Sequence, residues 1–262
     1  MVTKLLAVVK RPYDVRFNKY FSILFFCSLI YSMQQNYGLG FWLSVYLIYF
    51  LTFGLGVGMT LHRVISHSAV PLPKPFLYFF ATLGSIAQVG TPINWLLGHN
   101  LHHKYADSDK DPILPYLRGA NHLLGLFIPT DEKEYTRMLL VQARSPVFKD
   151  WFLKSLNDYL YQYTFGIYLL VYLIFGPISF NAFLIGNLGA LIATSLLTYF
   201  SHVKSLGTQH HEMSNNSVNI YGTFLIFFGE EIHNNHHAYP KRISNSQSAT
   251  QVDPIGWVLR LF

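Results

Sequence analysis

Two long stretches of this sequence contain no acidic or basic side chain, and they limit what the chain can fold into. The first stretch is residues 20–61, and the second is residues 159–203. A helix needs about 20 apolar residues to cross a bilayer, so each stretch is long enough for two crossings. Charged residues make up 12% of the chain, about half the roughly 25% typical of soluble domains. Both observations indicate a membrane protein.

Each uncharged stretch is interrupted near its middle, which predicts two helical hairpins. The interruptions are "QQNYG" at residues 34–38 and "GPISFN" at residues 176–181. We therefore predict an all-α polytopic membrane protein with four transmembrane helices and a histidine-rich helical cap on the cytoplasmic side. The whole chain, residues 1–262, is expected to form one domain, with approximate spans at residues 20–34, 39–60, 160–177 and 181–201.

The distribution of basic residues predicts the orientation in the membrane. All 19 Lys and Arg residues lie outside the two uncharged stretches, and five of them precede the first one. By the positive-inside rule, the termini and the middle of the chain are cytoplasmic. The net charge of +6 is not gathered into a basic stripe, so the lipid bilayer is an expected partner and nucleic acid is not.

A third uncharged segment, residues 75–98, could be mistaken for a fifth crossing. It is long enough to span a bilayer, and it contains Pro75 and Pro92. A fifth crossing would put the histidines that precede and follow this segment on opposite sides of the membrane. We therefore interpret residues 75–92 as an interfacial or re-entrant helix.

Eight of the 12 histidines fall into three short motifs. "HRVISH" contains His62 and His67, "HNLHH" contains His99, His102 and His103, and "HNNHH" contains His233, His236 and His237. Positions i, i+3 and i+4 share one face of an α-helix, so each HxxHH motif can direct three imidazoles to one place. His62 and His67 are five residues apart, about 140° on an α-helix, so they need not serve the same ion.

Eight imidazoles exceed the four ligands of one tetrahedral ion, which indicates two metal ions. Imidazole suits iron, copper and zinc alike, so a non-enzymatic protein that binds or senses zinc stays an alternative. Two redox metals at a membrane surface suit the oxidation of an unactivated C–H bond in a lipid chain. Metal-bound histidine usually donates its second N–H to a carboxylate, which makes Asp111 and Glu230 candidate partners of the histidines. Asn219 is a further candidate for support of the site.

The motifs resemble those of the membrane-bound fatty acid desaturases, in particular the stearoyl-CoA desaturase-like family. The resemblance covers residues 40–245 and includes "LHRVISHSAV", "GHNLHHKYADSDKDP" and "GEEIHNNHHAYP". Glu230 and Asn234 stand in the expected places, which makes both candidates for orienting the histidines. The resemblance implies four membrane helices below a cytosolic domain and a di-iron centre held by nine histidines. The ninth ligand implied by the resemblance is His202, in "TYFSHVKSLG".

Two positions depart from the family pattern. Thr198 stands where the family has an asparagine that reaches one metal through water. Trp95 matches a family Trp-x-Arg-Asp sequence that helps to hold the CoA headgroup, but Leu97 and Gly98 replace its polar pair. Trp95 is therefore a candidate substrate-binding residue, and the carrier of the acyl chain is either CoA or a lipid.

The resemblance implies an O2-dependent fatty acyl desaturase that introduces a cis double bond, delta-9-like, with two Fe²⁺ ions as cofactors. Related di-iron membrane hydroxylases of lipids or alkanes more often have an HxxxH first motif, so the HxxxxH spacing here favours desaturation. No HPGG motif of a fused cytochrome b5 is present. Electrons are therefore expected from a separate cytochrome b5 or ferredoxin. The expected location is the cell inner membrane or the endoplasmic reticulum, as a multi-pass protein with its active site on the cytoplasmic side.

Overall fold

Helices account for the regular structure of the residues that can be described. The computed structural model describes residues 15–113 and 132–262, with side chains from residue 20. The longer helices are α1 (Val15–Gln34), α2 (Leu39–Ser66), α3 (Lys74–Val89), α4 (Pro92–Tyr105), α5 (Glu132–Gln142), α7 (Trp151–Asp158) and α8 (Leu160–Phe200). The short helices are α6 (Pro146–Lys149), α9 (Phe224–Phe227), α10 (His233–Ala238) and α11 (Pro254–Leu259). Within the described ranges there is no β-strand, only isolated bridges that join Asn219 to Thr208 and Ile232.

Helix α8 folds back on itself, as the predicted hairpin requires. Gly176 has φ 78° and ψ 177°, and Pro177 follows it. The rings of Tyr168 and Phe183, which lie on either side of this break in the sequence, have their centroids 5.5 Å from each other. A straight α-helix would separate these residues by about 22 Å. The break therefore falls at Gly176, and the second half of the hairpin begins at Pro177, earlier than residue 181.

Two helices, α2 and α8, are long and apolar enough to cross a membrane by length and composition. Helices α3 and α4 are bent by 70° relative to each other and would supply a third span if they crossed together. The apolar part of α1, Tyr20–Gln34, is shorter than these spans. Helix α2 continues to Ser66, beyond the predicted end at residue 60, so the first histidine motif begins within the helix.

The outer surfaces of α1, of the first part of α2 and of α8 near its fold expose large apolar side chains. Met33, Leu39 and Leu173 are each at least 67% exposed. So many exposed large apolar side chains on three helices indicate contact with lipid or another apolar partner. Between α1 and the second half of α8, Asn181 hydrogen-bonds to Ser28 and Ser32. In a bilayer there is no hydrophobic driving force between helices, so interhelical hydrogen bonds of this kind help to hold apolar helices together.

Small residues bring α2, which carries the first histidine motif, into direct backbone contact with α3, which precedes the second. A Cβ atom on Gly56 of α2 would lie 2.6 Å from the backbone nitrogen of Gly84 in α3. Helix α4 then turns away after Gly90, with Thr91 as its N-cap and Pro92 in its first turn. This path places the second motif, on α4, beside the first motif, on α2.

Candidate metal centre

The nine predicted ligand residues lie in two separate groups. Each histidine contributes one ring nitrogen, and within each group these nitrogens lie within 4.8 Å of one another. The first, called the five-histidine group, comprises His62, His67, His99, His103 and His236. The second, called the four-histidine group, comprises His102, His202, His233 and His237. His103 is partly exposed, and the other eight are buried.

His62 and His67 belong to the same group because of the winding of α2. Residues Phe50–Ser66 form a π-helix, whose hydrogen bonds join residues five apart. The His67 N–H donates to the His62 carbonyl, 3.3 Å away, and the two ring centroids are 5.1 Å apart. On an α-helix these side chains would diverge, so the π winding is what brings both imidazoles to one place.

Both HxxHH motifs are divided between the two groups. On α4, His99 and His103 point to the five-histidine group, and His102 points to the four-histidine group. On α10, His236 joins the former, whereas His233 and His237 join the latter. The expectation that each motif directs its three imidazoles to one place therefore does not hold. Each motif instead lies between the two groups and supplies ligands to both.

In the five-histidine group, several Nε2 atoms lie so close together that a metal ion explains their arrangement better than hydrogen bonds between the rings. The Nε2 atoms of His99 and His67 are 2.8 Å apart, those of His103 and His236 are 3.0 Å apart, and those of His62 and His236 are 2.9 Å apart. Two imidazole nitrogens can share only one proton. In a buried site, lone pairs that converge in this way are stabilised by a cation.

Burial also favours the neutral form of His202 and of the three histidines on α10, as metal ligation requires. Desolvation, followed by the charges of neighbouring imidazoles, holds the pKa values of His233, His236 and His237 well below the usual value. Burial likewise lowers the pKa of His202, although its hydrogen bond to Asp107 opposes the shift. A neutral imidazole has a nitrogen lone pair for a metal ion, so the donor set fits one ion in each group.

Carboxylates fix the outward-facing nitrogen of three of these rings. Glu230 contacts His62 Nδ1, and Asp111 lies 2.9 Å from His102 Nδ1. Both are residues that the sequence singled out. When Nδ1 donates a proton to a carboxylate, the lone pair is on Nε2, which faces the centre of the group. The carboxylates thereby select the tautomer that can bind a metal.

The third carboxylate, Asp107, was not anticipated from the sequence. Both of its oxygens lie 3.1 Å from His202 Nδ1, and one also accepts from the Asn216 N–H at 2.6 Å. It lies in the acid-rich run "DSDKDP", in which the sequence analysis singled out only Asp111. Asn215 was also missed, and its side chain lies 3.3 Å from His237 Nδ1.

The remaining predicted supporting residues act on the backbone around the site. Asn219 donates to the side chain of Asn235 and accepts from its N–H, so it holds the start of α10. Asn234 bonds the backbone of His211 and, at 3.4 Å, the Ser217 hydroxyl. These hydrogen bonds order the chain that carries the third motif, and their partners are not the rings of either histidine group.

One narrow, mostly apolar cavity reaches both histidine groups. Its wall includes His62 and His99 from the first group and His102 and His233 from the second, together with Phe53, Val57, Ile113 and Leu197. Trp95 also lines it and stacks on His99, with ring centroids 6.2 Å apart and planes at 17°. Thr198 is part of the wall too, and its hydroxyl donates to the Thr194 carbonyl at 2.9 Å. An apolar chain in this cavity would run past both groups.

The fold and the site together define a helical protein with membrane-length apolar helices and a two-part histidine centre that opens into an apolar cavity. The model of the protein family described as "Fatty acid desaturase" matches residues 39–248. The chain therefore belongs to the fatty acid desaturase family, and it is an oxidoreductase that desaturates fatty acyl chains.

Individual relatives agree with this assignment. Delta-9 acyl-lipid desaturase 1 of Arabidopsis thaliana is 34% identical over 84% of this chain and 71% of its own length. The sn-2 palmitoyl-lipid 9-desaturase of Nostoc sp. (strain 36) is 29% identical over 84% of this chain and 78% of its own length. Icosanoyl-CoA 5-desaturase of Limnanthes douglasii is 26% identical over 84% of this chain and 62% of its own length.

Proposed function

We propose that the protein introduces a cis double bond, at a delta-9-like position, into a saturated acyl chain through two iron ions held by the nine histidines. The observation that carries this proposal is the division of nine imidazoles into two groups that open into one apolar cavity. The nitrogen-only donor set suits iron, and the family generally uses two iron ions and O2.

When bound, the iron ions supply the oxygen chemistry that removes hydrogen from an unactivated carbon chain. The net reaction takes one O2, two electrons and two protons, and it converts a CH2–CH2 unit into CH=CH with release of two water molecules. The protein's part is to exclude water and to hold the chain in position. Phe53, Val57 and Leu197 form an apolar wall for this purpose, and Trp95 packs beside His99 at the histidine end.

We also propose that the protein is a single-domain, integral multi-pass membrane protein with four crossings in two hairpins and a cytoplasmic histidine-rich cap. The fold-back at Gly176 and the exposed apolar surfaces of α1, α2 and α8 support this topology. The segregation of Lys and Arg supports the orientation. The cell inner membrane or the endoplasmic reticulum would suit such a protein.

A lipid-linked acyl chain is the substrate that the sequence and its relatives favour over acyl-CoA. Leu97 and Gly98 replace the polar pair expected for CoA binding, and both are buried. The Arabidopsis and Nostoc relatives are named for acyl-lipid and palmitoyl-lipid substrates, although the Limnanthes relative is named for an acyl-CoA. The electrons would come from a separate cytochrome b5 or ferredoxin.

Expression in a host that lacks desaturases tests this proposal. Total fatty acids and intact lipids are profiled by mass spectrometry with localisation of the double bond. We expect a mono-unsaturated product. When the cells are fed a labelled saturated fatty acid, the labelled mono-unsaturated chain should appear first in the lipid pool and later in the acyl-CoA pool. A hydroxylated chain would favour a hydroxylase. A protein with two zinc ions, no iron and no O2-dependent product after reconstitution with iron would favour a zinc-binding role.

A further inference from the structure

The residue that follows His62 is a fully buried arginine. Arg63 has 0% exposure. Its Nε donates to Glu230 Oε1 at 2.7 Å, and its Nη1 donates to Asp253 Oδ2 at 2.8 Å and to the Ile243 carbonyl at 3.1 Å. A buried guanidinium must be compensated by anionic or carbonyl acceptors. Arg63 therefore joins two carboxylates that lie 167 and 190 residues after it in the sequence.

One of these carboxylates is shared with the five-histidine group. Glu230 accepts from Arg63 with Oε1, and its other oxygen contacts His62 Nδ1. Glu230 is buried, and each of its two oxygens has a partner, so any change at Arg63 is passed to His62. The contacts run in series from Asp253 to Arg63, to Glu230 and to His62.

Asp253 lies beyond residue 248, where the family match ends. It is fully buried and also accepts from the Ser244 hydroxyl at 2.9 Å and from the Asn245 N–H at 2.7 Å. It caps α11, whose Ile255 packs on α2, since a Cβ on Gly58 would lie 2.7 Å from Ile255 Cδ1. The C-terminal segment is thus tied to the helix that carries the first histidine motif.

We propose that Asp253 is a positioning residue for the five-histidine group, and that it acts through Arg63 and Glu230 on the tautomer and orientation of His62. This inference rests on the proposed two-ion centre. With Asp253 neutral, Arg63 keeps one anionic partner and draws both oxygens of Glu230 into a two-point contact. His62 then loses its acceptor and can turn its proton toward the metal position.

The test is the binding of Co²⁺, a spectroscopic probe, to the detergent-purified full-length apoprotein. His236→Ala and His233→Ala provide reference titrations for the loss of a ligand from the five-histidine and four-histidine groups. In Asp253→Asn we expect the affinity of the five-histidine group to fall roughly 10–100-fold, with the four-histidine group unchanged. Asp253→Glu, which keeps the charge, should regain part of the affinity. Asp109→Asn, at an exposed aspartate, is the matched control and should bind both ions as the wild type does.

Several results would overturn the proposal. Unchanged binding at both groups in a folded Asp253→Asn protein would do so, and an equal loss at both groups would indicate a purely structural role. If Asp253→Asn does not fold, Arg63→Lys, which keeps the positive charge but replaces the fork that joins Glu230 to Asp253 with a single ammonium, must lower affinity selectively at the five-histidine group. A wild type that binds two ions but forms no desaturated product would contradict the proposed function instead.

Discussion

Replacing Asp107 with asparagine tests whether a carboxylate that the sequence did not single out controls one half of the metal centre. Asp107 accepts from two N–H groups, those of His202 Nδ1 and Asn216. Asparagine keeps the shape but offers one oxygen, so one of these donors must face its NH2 group. Loss of a hydrogen bond to a charged group costs about 1.5–3 kcal/mol. This agrees with the tenfold to hundredfold loss of metal affinity, ~1.4–2.8 kcal/mol, seen when such partners are removed.

The assay is competitive Co²⁺ titration of the purified apoprotein, with each ion assigned through His236→Ala and His233→Ala. We expect Asp107→Asn to weaken only the ion in the four-histidine group, because His202 belongs to that group. Asp109→Asn should bind both ions normally. Wild-type affinity at the four-histidine group in a folded Asp107→Asn protein, or an equal loss in Asp109→Asn, would refute the argument.

Three further predictions concern other parts of the fold. His236→Ala should abolish desaturation and leave about one tightly bound metal ion per chain by elemental analysis, and retained activity would contradict its assignment as a ligand. Gly56→Ala should lower the free energy of unfolding by roughly 1–3 kcal/mol, because its Cβ would lie 2.6 Å from the Gly84 nitrogen, and thermal unfolding in detergent measures the loss. The hydrogen bond from Tyr105 is the main cause that lowers the pKa of Glu134 to about 2, so the stabilisation by Glu134 should be full above about pH 4.5 and lost as pH falls toward 2. The destabilisation by Glu134→Gln should therefore be constant from about pH 5 to 8 and shrink below about pH 4, as followed by unfolding scans, and a constant difference down to about pH 3 would contradict it.

Within single elements, the sequence predicted much of what the structure contains. The absence of charge over residues 20–61 and 159–203 predicted long apolar helices, and the break near Gly176 predicted the fold-back of the second stretch. The sequence was less informative about whether a helix has α or π winding. His62 and His67 point the same way because α2 is π-helical there, and the spacing of apolar residues did not indicate a change from α to π winding.

Which residues of different helices lie together could be seen only in the tertiary structure. The sequence determined that this is a helical, membrane-type chain with enough clustered histidines for two metal ions, because composition and local spacing act within the length of a single helix. The tertiary structure decided how each HxxHH motif is divided between two groups, and it paired His202 with Asp107 and Arg63 with Asp253. Those pairs are 95 and 190 residues apart. The physical reason is that a buried imidazole or guanidinium takes whichever acceptor the packing of helices brings within about 3 Å, and local sequence spacing carries no information about that packing.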